Sequence, residues 1–570
     1  MLGLLCLVCS SVFAQHAFPT DTKVQPNAGF LKVKGKEIVN NNGAFIFRGL
    51  NLGNWLLQEG YMMQTPGVAN SQHEFQDRLL PVIGQQKIDA FYKKWRATYI
   101  TKTDIDSIAS WGFNHIRLPM HYNLFMKEDS STTLTGPGFA FIDSTLKWCK
   151  ANKLYLILDM HACPGGQSPD NISDYKKGDK LLWQSKAYQK KLVVLWKAIA
   201  KKYVNEPWIG GYDLINETVY KFPNDVDFRN YFIELTQAVR QVDKNHIVFI
   251  EGNYYANDFK NLTPPWDNNM VYSFHKYWNT TDRNSIGWVL EMREKINIPL
   301  YCGEFAENSN EWITEAISLF EAEKIGWSIW PYKKIESRAV FYNVNIPANY
   351  QTLINSWSDK APKQSEAQTE QALANLLEAV KTKNAVLKRD YLYAINTSPY
   401  TNKTKAFGRN NIPSFIQAAN YDLGRNGLAY SDLGYVNYSG RPATNFNSGE
   451  TYRNDGVDII YSDQLKTYIV TEAQGGESLC YTLTDTTNGS GPFKVSVLVS
   501  CKEQSRIAIL EGSPSEGGKL HPEVVFTPSG NEVWQEVNLG TVQFEKSKPK
   551  KVSLQIVKGN LHVQGLRFAR

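Results

Sequence analysis

The sequence lacks the features that mark several classes of protein. Its seven cysteines include Cys6 and Cys9 near the start, and the other five show no CxxC spacing, which argues against a zinc site or a disulfide scaffold. Beyond the first residues, no segment approaches the ~18 uncharged apolar residues that a membrane-spanning helix needs. There is also no internal repeat and no long run of like charge. Zinc-finger, membrane-spanning and repeat architectures are therefore not expected.

The charge balance is weak as well. A formal net charge of +6 over 570 residues produces only a weak electrostatic field, which does not indicate a nucleic-acid partner. Apolar residues make up 42% and charged residues 21% of the chain, which is near the globular average and excludes a disordered or collagen-like protein. At roughly 100–200 residues per domain, the length leaves room for about two to four domains.

Aromatic residues, by contrast, are abundant. The chain has 15 Trp, 30 Tyr and 27 Phe. Trp and Tyr combine an apolar face with a polar edge, so their flat, partly solvent-exposed rings can stack against sugar rings. The composition therefore hints at a carbohydrate ligand.

The first residues predict export from the cell. Leu2–Phe13 is an apolar run that is too short to cross a bilayer. It ends in Ser11-Val12-Phe13-Ala14, a site suited to signal peptidase. We therefore predict a signal peptide over residues 1–14 and a secreted or periplasmic protein.

A repeated strand–loop–helix pattern fills residues 25–382 and predicts a (β/α)8 barrel, an α/β fold. The eight candidate strands are short apolar runs without clean alternation, as expected of parallel strands covered on both faces. They are Phe45–Leu50, Asn114–Leu118, Tyr155–Asp159, Gly211–Ile215, Ile247–Glu251, Val271–Phe274, Leu300–Gly303 and Trp327–Trp330. The predicted helices between and after them are Phe141–Ala151, Lys186–Tyr203, Asp227–Val242, Ile286–Lys295, Glu311–Glu323 and Glu366–Lys381. Phe30–Asn42 is predicted as a hairpin that plugs the bottom of the barrel.

The composition changes near Lys383. Residues 383–411 are predicted as a linker, since Asn396–Asn411 is rich in Asn, Thr, Lys, Pro and Gly. Residues 412–570 contain short alternating runs separated by turn residues and no good helix, which predicts an all-β sandwich. Cys480 and Cys501 lie on successive predicted strands, where they either form a disulfide or remain two unpaired core thiols.

Polar groups end most of the predicted barrel strands. The carboxyl ends of barrel strands face the active site, so these groups are expected to meet there. They are Arg117, Asp159, His161, Asn216, Glu217, His275, Tyr277, Glu304 and Trp330. One polar strand end is unexceptional, but the whole series predicts an active site at this face.

Glu217 and Glu304 are the central pair in this series. Glycoside hydrolysis uses two carboxyl groups that flank one bond; about 5–5.5 Å apart, one attacks the anomeric carbon while the other protonates the leaving oxygen. Arg117 would keep Glu304 ionised and Tyr277 would donate a hydrogen bond to it. Asn216 has the amide needed to hold a sugar 2-hydroxyl.

With this set of residues, the segment 25–382 resembles glycoside hydrolase family 5, the cellulase-type retaining barrel. The resemblance implies Glu217 as acid/base and Glu304 as nucleophile. It also implies that substrate is bound by Arg117, His161, Asn216, His275, Tyr277 and Trp330. For the tryptophan of the last strand we choose Trp330 over Trp327, because it lies nearer the rim.

The first strand narrows the resemblance. Arg48-Gly49-Leu50-Asn51-Leu52-Gly53-Asn54-Trp55-Leu56, followed by Glu59, is similar to the exo-β-1,3-glucanase branch of the family, as is the loop His161–Gln167. Trp55 and Glu59 are therefore expected to bind substrate. Asn54 departs from the glycine usual in that branch. An endo-acting β-1,4-glucanase (cellulase), a mannanase and a licheninase remain alternatives. The loops that bind the sugar units change more easily between related enzymes than the catalytic residues at the strand ends do.

The segment 412–570 resembles a carbohydrate-binding module of family 6. The similar pieces are 416–422, 452–459, Trp534-Gln535 and the last strand. Ala419 and Gln564 stand where that family usually has the acidic ligands of a structural calcium, so we expect no calcium there. Tyr452 and Trp534 are the candidate sugar-binding residues, with ordinary sandwich core as the alternative for each.

Two hypotheses from other classes compete with this one. A catalytically inactive sugar-binding protein would have lost Glu217, Glu304 or Asn216, and all three are present. A metal-dependent hydrolase would use His121, Asp159, His161 and His275, but these lack ligand spacings such as HxH or HExxH. We therefore predict a monomeric enzyme that acts on a β-glucan with no cofactor and no metal, and that has neither a nucleic-acid nor a membrane partner.

Overall fold

The computed structural model describes residues 29–129, 131–396, 404–434, 447, 449, 451–487, 491–530, 533–544 and 550–570. The predicted signal peptide lies outside these residues. The described chain forms a closed barrel followed by two facing β-sheets, as predicted. Within it, no helix is long and apolar enough to cross a membrane.

A small antiparallel sheet precedes the barrel. Its strands are β1 (Lys32–Lys34), β2 (Glu37–Asn40) and β3 (Gly43–Phe45). Leu31 and Ile38 pack on Phe47, Tyr155 and Tyr301, which fill the bottom of the barrel. The predicted hairpin therefore has one strand more than expected and does close the barrel floor.

The eight predicted barrel strands are confirmed. They are β4 (Arg48–Asn51), β5 (His115–His121), β6 (Tyr155–Ala162), β7 (Ile209–Asp213), β8 (Val248–Glu251), β9 (Met270–Lys276), β10 (Leu300–Ala306) and β11 (Gly326–Trp330). They pair in parallel in chain order, and β11 closes the ring on β4. Apart from the half-buried Arg48, every residue of these strands is buried, which explains why their sequences do not alternate.

The helices and helical turns surround this barrel. They are α1 (Gln72–Thr98), α2 (Lys102–Ser110), α3 (Gly138–Ala151), α4 (Lys186–Tyr203), α5 (Asp225–Arg240), α6 (Asn253–Ala256), α7 (Gly287–Ile296), α8 (Asn310–Ala322), α9 (Ala348–Trp357), α10 (Glu366–Ala379) and α11 (Arg389–Asn396). The six predicted helices correspond to α3, α4, α5, α7, α8 and α10. The long α1 was not predicted, because Gly84 at φ 72° interrupts it and Pro81 lies within it.

The predicted linker is partly structured. A three-stranded sheet forms from β12 (Lys333–Ile335), β13 (Tyr342–Val344) and β14 (Val386–Leu387), and α11 follows directly. Tyr391 and Ile395, one helical turn apart on α11, are fully buried in the barrel core. The first part of the range 383–411 therefore belongs to the barrel instead of connecting two domains loosely.

Two facing sheets form the C-terminal region. The strands are β15 (Asn411–Ile412), β16 (Phe415–Gln417), β17 (Tyr430–Ser431), β18 (Ile459–Ser462), β19 (Thr467–Gln474), β20 (Ser478–Asp485), β21 (Phe493–Cys501), β22 (Ser505–Ser513), β23 (Gly517–Leu520), β24 (Val524–Phe526), β25 (Gln535–Val542), β26 (Lys550–Lys558) and β27 (Asn560–Ala569). One sheet has seven strands and the other six, and their inner faces share one apolar core. Cys480 lies on β20 of the first sheet and Cys501 on β21 of the second, and both are buried free thiols.

Candidate active site

Arg117 is the centre of the polar cluster at the carboxyl face of the barrel. Its guanidinium lies within 2.8–3.1 Å of side-chain oxygens of Asn51, Asp159, Asp213, Asn216, Glu251 and Glu304. Burial alone would lower the pKa of Arg117, but the surrounding carboxylates raise it well above its ordinary value. The side chain therefore stays cationic and ties five other barrel strands, or the residues just after them, to its own strand β5.

Glu304 lies on β10 and is held by two donors. Arg117 Nη1 donates to its Oε1 at 2.8 Å, and the Tyr277 hydroxyl donates to its Oε2 at 3.0 Å. Burial raises the pKa of Glu304, and the positive charges of His275 and Arg117 oppose this rise. The carboxyl group is thus buried, fixed in orientation and bordered by positive charge.

Glu217, just beyond β7, faces Glu304. Carboxylate oxygens of these two residues and a ring nitrogen of His275 all lie within 4.8 Å of one another. His275 Nδ1 is 2.6 Å from Glu217 Oε1 and 3.7 Å from Glu304 Oε2. A carboxyl separation of this size fits the roughly 5–5.5 Å of retaining glycosidases and not the roughly 6.5–9.5 Å of inverting ones.

Glu251, at the end of β8, was missing from the sequence-based prediction. Its Oε2 accepts the backbone N–H of Glu217 at 2.8 Å, and its Oε1 lies 3.2 Å from His275 Nε2. The imidazole of His275 is therefore flanked by Glu217 on one side and Glu251 on the other. Burial would lower the pKa of His275, but Glu251, Glu304 and Glu217 raise it well above its ordinary value. The signal was present in the sequence, since Val248–Glu251 ends an apolar strand in an acid, as other barrel strands end in polar groups.

Asn216 and His161 line the other side of the carboxyl pair. Asn216 Oδ1 accepts a hydrogen bond from Arg117 at 2.9 Å, and Asn216 Nδ2 lies 3.5 Å from His161 Nε2. His161 Nδ1 is 2.7 Å from Asp159, and this carboxylate raises the pKa of His161 against the opposing effect of burial. The ring of Trp330 stacks on His161 with centroids 5.2 Å apart and planes 2° from parallel. Trp330 thus lies at the site, whereas Trp327 is buried in the wall with its N–H donated to Glu321.

Glu59 is a buried carboxyl group beside this cluster. Its Oε1 is 3.8 Å from His161 Nε2, and burial raises its pKa to about 8. Asn54, whose Oδ1 accepts the Glu59 N–H at 3.3 Å, has φ 64°. Asn adopts this left-handed conformation more readily than most residues, which explains how it replaces the expected glycine. Burial therefore favours the protonated form of Glu59, which can donate a hydrogen bond.

Three other predicted binding residues lie elsewhere. The prediction for Trp55 is corrected: its ring is 2% exposed, it packs on Phe141 and donates its N–H to the Arg96 carbonyl at 2.8 Å, so it offers no face to a ligand. Tyr452 stacks on Tyr468 at the junction with the barrel. Trp534 is half-buried and donates to Gln464 at 3.3 Å.

Two groups among the described residues have three ligand atoms close enough to hold a metal ion. One is Glu217, His275 and Glu304; the other is His73, His121 and Asp174. In the second group both imidazoles already lie 2.7–3.0 Å from Asp174 Oδ2. The four residues of the metal-hydrolase hypothesis do not converge, since His121 is bound to Asp174 while His161 and His275 have other carboxylate partners.

Comparison with known proteins finds relatives of the barrel. The family model described as cellulase (glycosyl hydrolase family 5) matches residues 73–335. A β-xylosidase of Phanerodontia chrysosporium is 28% identical over 381 residues, covering 58% of this chain and 76% of the relative. Endoglucanase C of Acetivibrio thermocellus is 29% identical over 327 residues, 46% of this chain and 92% of the relative. A glucan 1,3-beta-glucosidase of Lachancea kluyveri is 28% identical over 283 residues, 48% of this chain and 63% of the relative.

The match covers β5 to β11 and therefore most of the strand ends that build the polar cluster. Residues 73–335 are thus similar to glycosyl hydrolase family 5, and the protein is a glycoside hydrolase.

Proposed function

We propose that this enzyme hydrolyses a β-glucan with retention of configuration, with Glu304 as nucleophile and Glu217 as acid/base. The observation that carries the proposal is the close approach of the two carboxyl groups, within 4.8 Å. That gap leaves room for an anomeric carbon between them and too little for an additional water.

In the first step a Glu304 oxygen attacks the anomeric carbon and forms a glycosyl ester as the glycosidic C–O bond breaks. The proton of Glu217 passes to the leaving oxygen. Arg117 and Tyr277 hold Glu304 in line for attack, and Asn216 is placed to bind the sugar 2-hydroxyl. In the second step water attacks the same carbon, gives its proton to Glu217 and displaces Glu304, so that the product regains the β configuration.

For the substrate we propose a β-1,3-glucan cleaved from the chain end. The support is the first-strand segment with Glu59, whose neutral carboxyl can donate a hydrogen bond to a terminal sugar hydroxyl, together with the relatives named glucan 1,3-beta-glucosidase. An endo-acting β-1,4-glucanase is the second candidate, since relatives named endoglucanase match the same region. We further propose that the C-terminal sandwich binds carbohydrate and that the enzyme is secreted, the latter on the leader sequence alone.

Product analysis on β-1,3-, β-1,4-, β-1,6- and mixed-linkage glucans tests this proposal. We expect glucose to be released from laminarin from the first time point, without a ladder of oligosaccharides. Rapid loss of viscosity of carboxymethyl-cellulose, with laminarin left intact, would replace the exo-β-1,3 assignment by the endo-acting one. A Glu59→Ala variant should lose more laminarin turnover than Glu59→Gln, because the amide keeps a hydrogen-bond donor where the neutral acid has one.

A further inference from the structure

One of the loops that fix the sandwich to the barrel carries Asn454. Asn454 donates its backbone N–H to Asp390 at 2.7 Å and its side-chain Nδ2 to the Asn308 carbonyl at 2.9 Å and to Asn310 Oδ1 at 2.9 Å. Asn310 returns its own N–H to the Asn454 carbonyl at 2.9 Å. These groups are buried, and Asn308–Asn310 belongs to the segment that follows Glu304 on β10. The sandwich is therefore held in a fixed position next to the catalytic face.

A cavity of about 310 Å³ borders the site. It is lined by Tyr61, whose hydroxyl accepts the Trp330 N–H at 2.7 Å and donates to Glu307 at 3.2 Å. Lys334 binds Glu307 at 2.7 Å and lies 4.1 Å from the centroid of the Tyr61 ring. The remaining lining residues are Trp278, Glu336, Ser337, Arg338 and Ala339. Its volume lies at the low end of the ~300–1,000 Å³ range of small-molecule sites.

Three tyrosines of the sandwich pack against one another, and we call them the tyrosine row: Tyr452, Tyr468 and Tyr461. Tyr452 stacks on Tyr468 with centroids 4.4 Å apart, and Tyr468 meets Tyr461 edge to face at 5.3 Å. Lys334 of β12 and residues 336–339 after it line the cavity, and β12 shares a three-stranded sheet with β14, so cavity and row contact the same sheet. Lys388, which follows β14, binds the Tyr452 carbonyl and anchors the row on the barrel side. Tyr461 is 48% exposed at the far end.

We propose that the cavity and the tyrosine row form one track that binds the sugar units of a β-glucan chain beyond the unit held at the catalytic carboxyls. Aromatic faces bordered by charged side chains suit a pyranose, because its C–H face packs on the ring while its hydroxyls meet Glu336 and Arg338. The track begins at Trp330, through Tyr61, and ends at the exposed Tyr461. The sandwich is then part of the substrate site of the same enzyme molecule. This inference rests on the proposed function, since the chain bound there is the substrate.

Tyr461→Ala in the full chain tests the track, with Leu520→Ala as the matched control. Leu520 is 62% exposed on β23 of the other sheet. On the glucan that the wild type cleaves fastest, we expect Tyr461→Ala to lower kcat/KM about fivefold for a long chain, the size of effect given by one lost aromatic contact. Hydrolysis of an aryl β-glucoside, which fills only the catalytic end, should change less than about twofold. Leu520→Ala should change neither rate, and all variants should melt at the wild-type temperature.

Direct binding separates this inference from the proposed function. The same long oligosaccharide is titrated into Glu304→Gln and into Glu304→Gln/Tyr461→Ala by calorimetry, and the second Kd should be about fivefold higher, as for one lost aromatic contact. Equal affinities and equal long-chain rates overturn the track, as does an equal rate loss on the long and the short substrate. A wild type that cleaves no glycoside contradicts the proposed function, while the titration still decides whether the track binds the chain.

Discussion

The barrel and the sandwich each bury one arginine completely, and the two arginines have different surroundings. Arg117 faces four carboxylates and two amide oxygens at the open end of the barrel. Arg453 pairs with Asp455 at 3.1 Å, donates to the carbonyls of Tyr421 and Asp422, and lies 3.8 Å from the Tyr421 ring centroid. A buried arginine surrounded by several acids forms a preorganised electrostatic site. A buried arginine that donates to backbone carbonyls and pairs with a single acid serves the fold.

The two arginines therefore mark two different regions: the proposed catalytic site and the contact between the sandwich and the barrel. The acids around Arg117 include Glu304, the proposed nucleophile, and Glu251, which holds the backbone of Glu217. Arg453 lies next to Asn454, the residue through which the sandwich is fixed to the barrel. Changes at Arg117 should therefore alter catalysis, and changes at Arg453 should alter stability.

The largest expected effect in the barrel is that of Glu217→Ala on a natural glucan. Loss of the proton donor should lower kcat/KM about 10³-fold, the usual size of general acid catalysis. An aryl glycoside with a good leaving group needs no proton, so its first step should be nearly unaffected. Azide should accelerate this variant and give a β-glycosyl azide, seen by product NMR. Failure of azide to rescue the variant while Glu304→Gln responds to it would reverse the two roles.

The next largest loss of activity is expected for Arg117→Lys, at the buried arginine of the barrel. Lysine cannot form the forked bonds that hold Glu304 and Asn216, so kcat/KM should fall at least about 10²-fold, as on loss of a preorganised donor. The melting temperature is the control, and a fall in activity that merely followed unfolding would contradict the assignment.

The pH profile of the wild type tests the electrostatics of Glu304. The nucleophile must be ionised, so activity is lost as the pH falls through its pKa. Because burial raises this pKa above 4.5, the acidic limb of kcat/KM should lie above that value. An acidic limb below 4.5 would show that Arg117 and His275 outweigh burial.

Glu251→Gln should have a smaller effect. Its charge raises the pKa of His275, so its removal lets the imidazolium lose its proton at lower pH. We expect kcat/KM to fall about tenfold, as for other residues that position a reacting group, because Glu251 holds the backbone of Glu217. The alkaline limb should move to lower pH, because the imidazolium of His275 that loses its proton contacts the acid/base Glu217. Glu251→Asp keeps the charge and should keep the position of that limb. An unchanged limb in Glu251→Gln would mean that the residue serves the fold alone.

Arg453→Met should leave aryl-glycoside hydrolysis unchanged and destabilise the sandwich. The substitution leaves Asp455 buried without its partner, at a cost of about 3 kcal/mol in unfolding free energy. Arg506→Met is the matched control, because it breaks an exposed pair with Glu523 worth less than about 1 kcal/mol. Denaturant unfolding of the full chain measures both, and equal stabilities would remove the contrast between the two arginines.

The sequence predicted the strands and the polar residues at their ends because both follow from order along the chain. Buried parallel strands are apolar runs, and the residue after each run faces one edge. The direction of the Trp55 side chain could not be predicted in this way. Trp55 follows Asn54 in a loop of irregular backbone, where side chains do not alternate as they do along a strand. The docking of Asn454 on Asn308 and Asn310 joins loops far apart in sequence and has no periodic signal.

The most direct test of the central claim is the anomer released first from a β-glucan or an aryl β-glucoside. Proton NMR in the opening minutes, before mutarotation, should show the β-anomer, because two displacements at one carbon restore its configuration. The α-anomer as first product would mean a single displacement by water, and the roles of Glu304 and Glu217 would both be wrong.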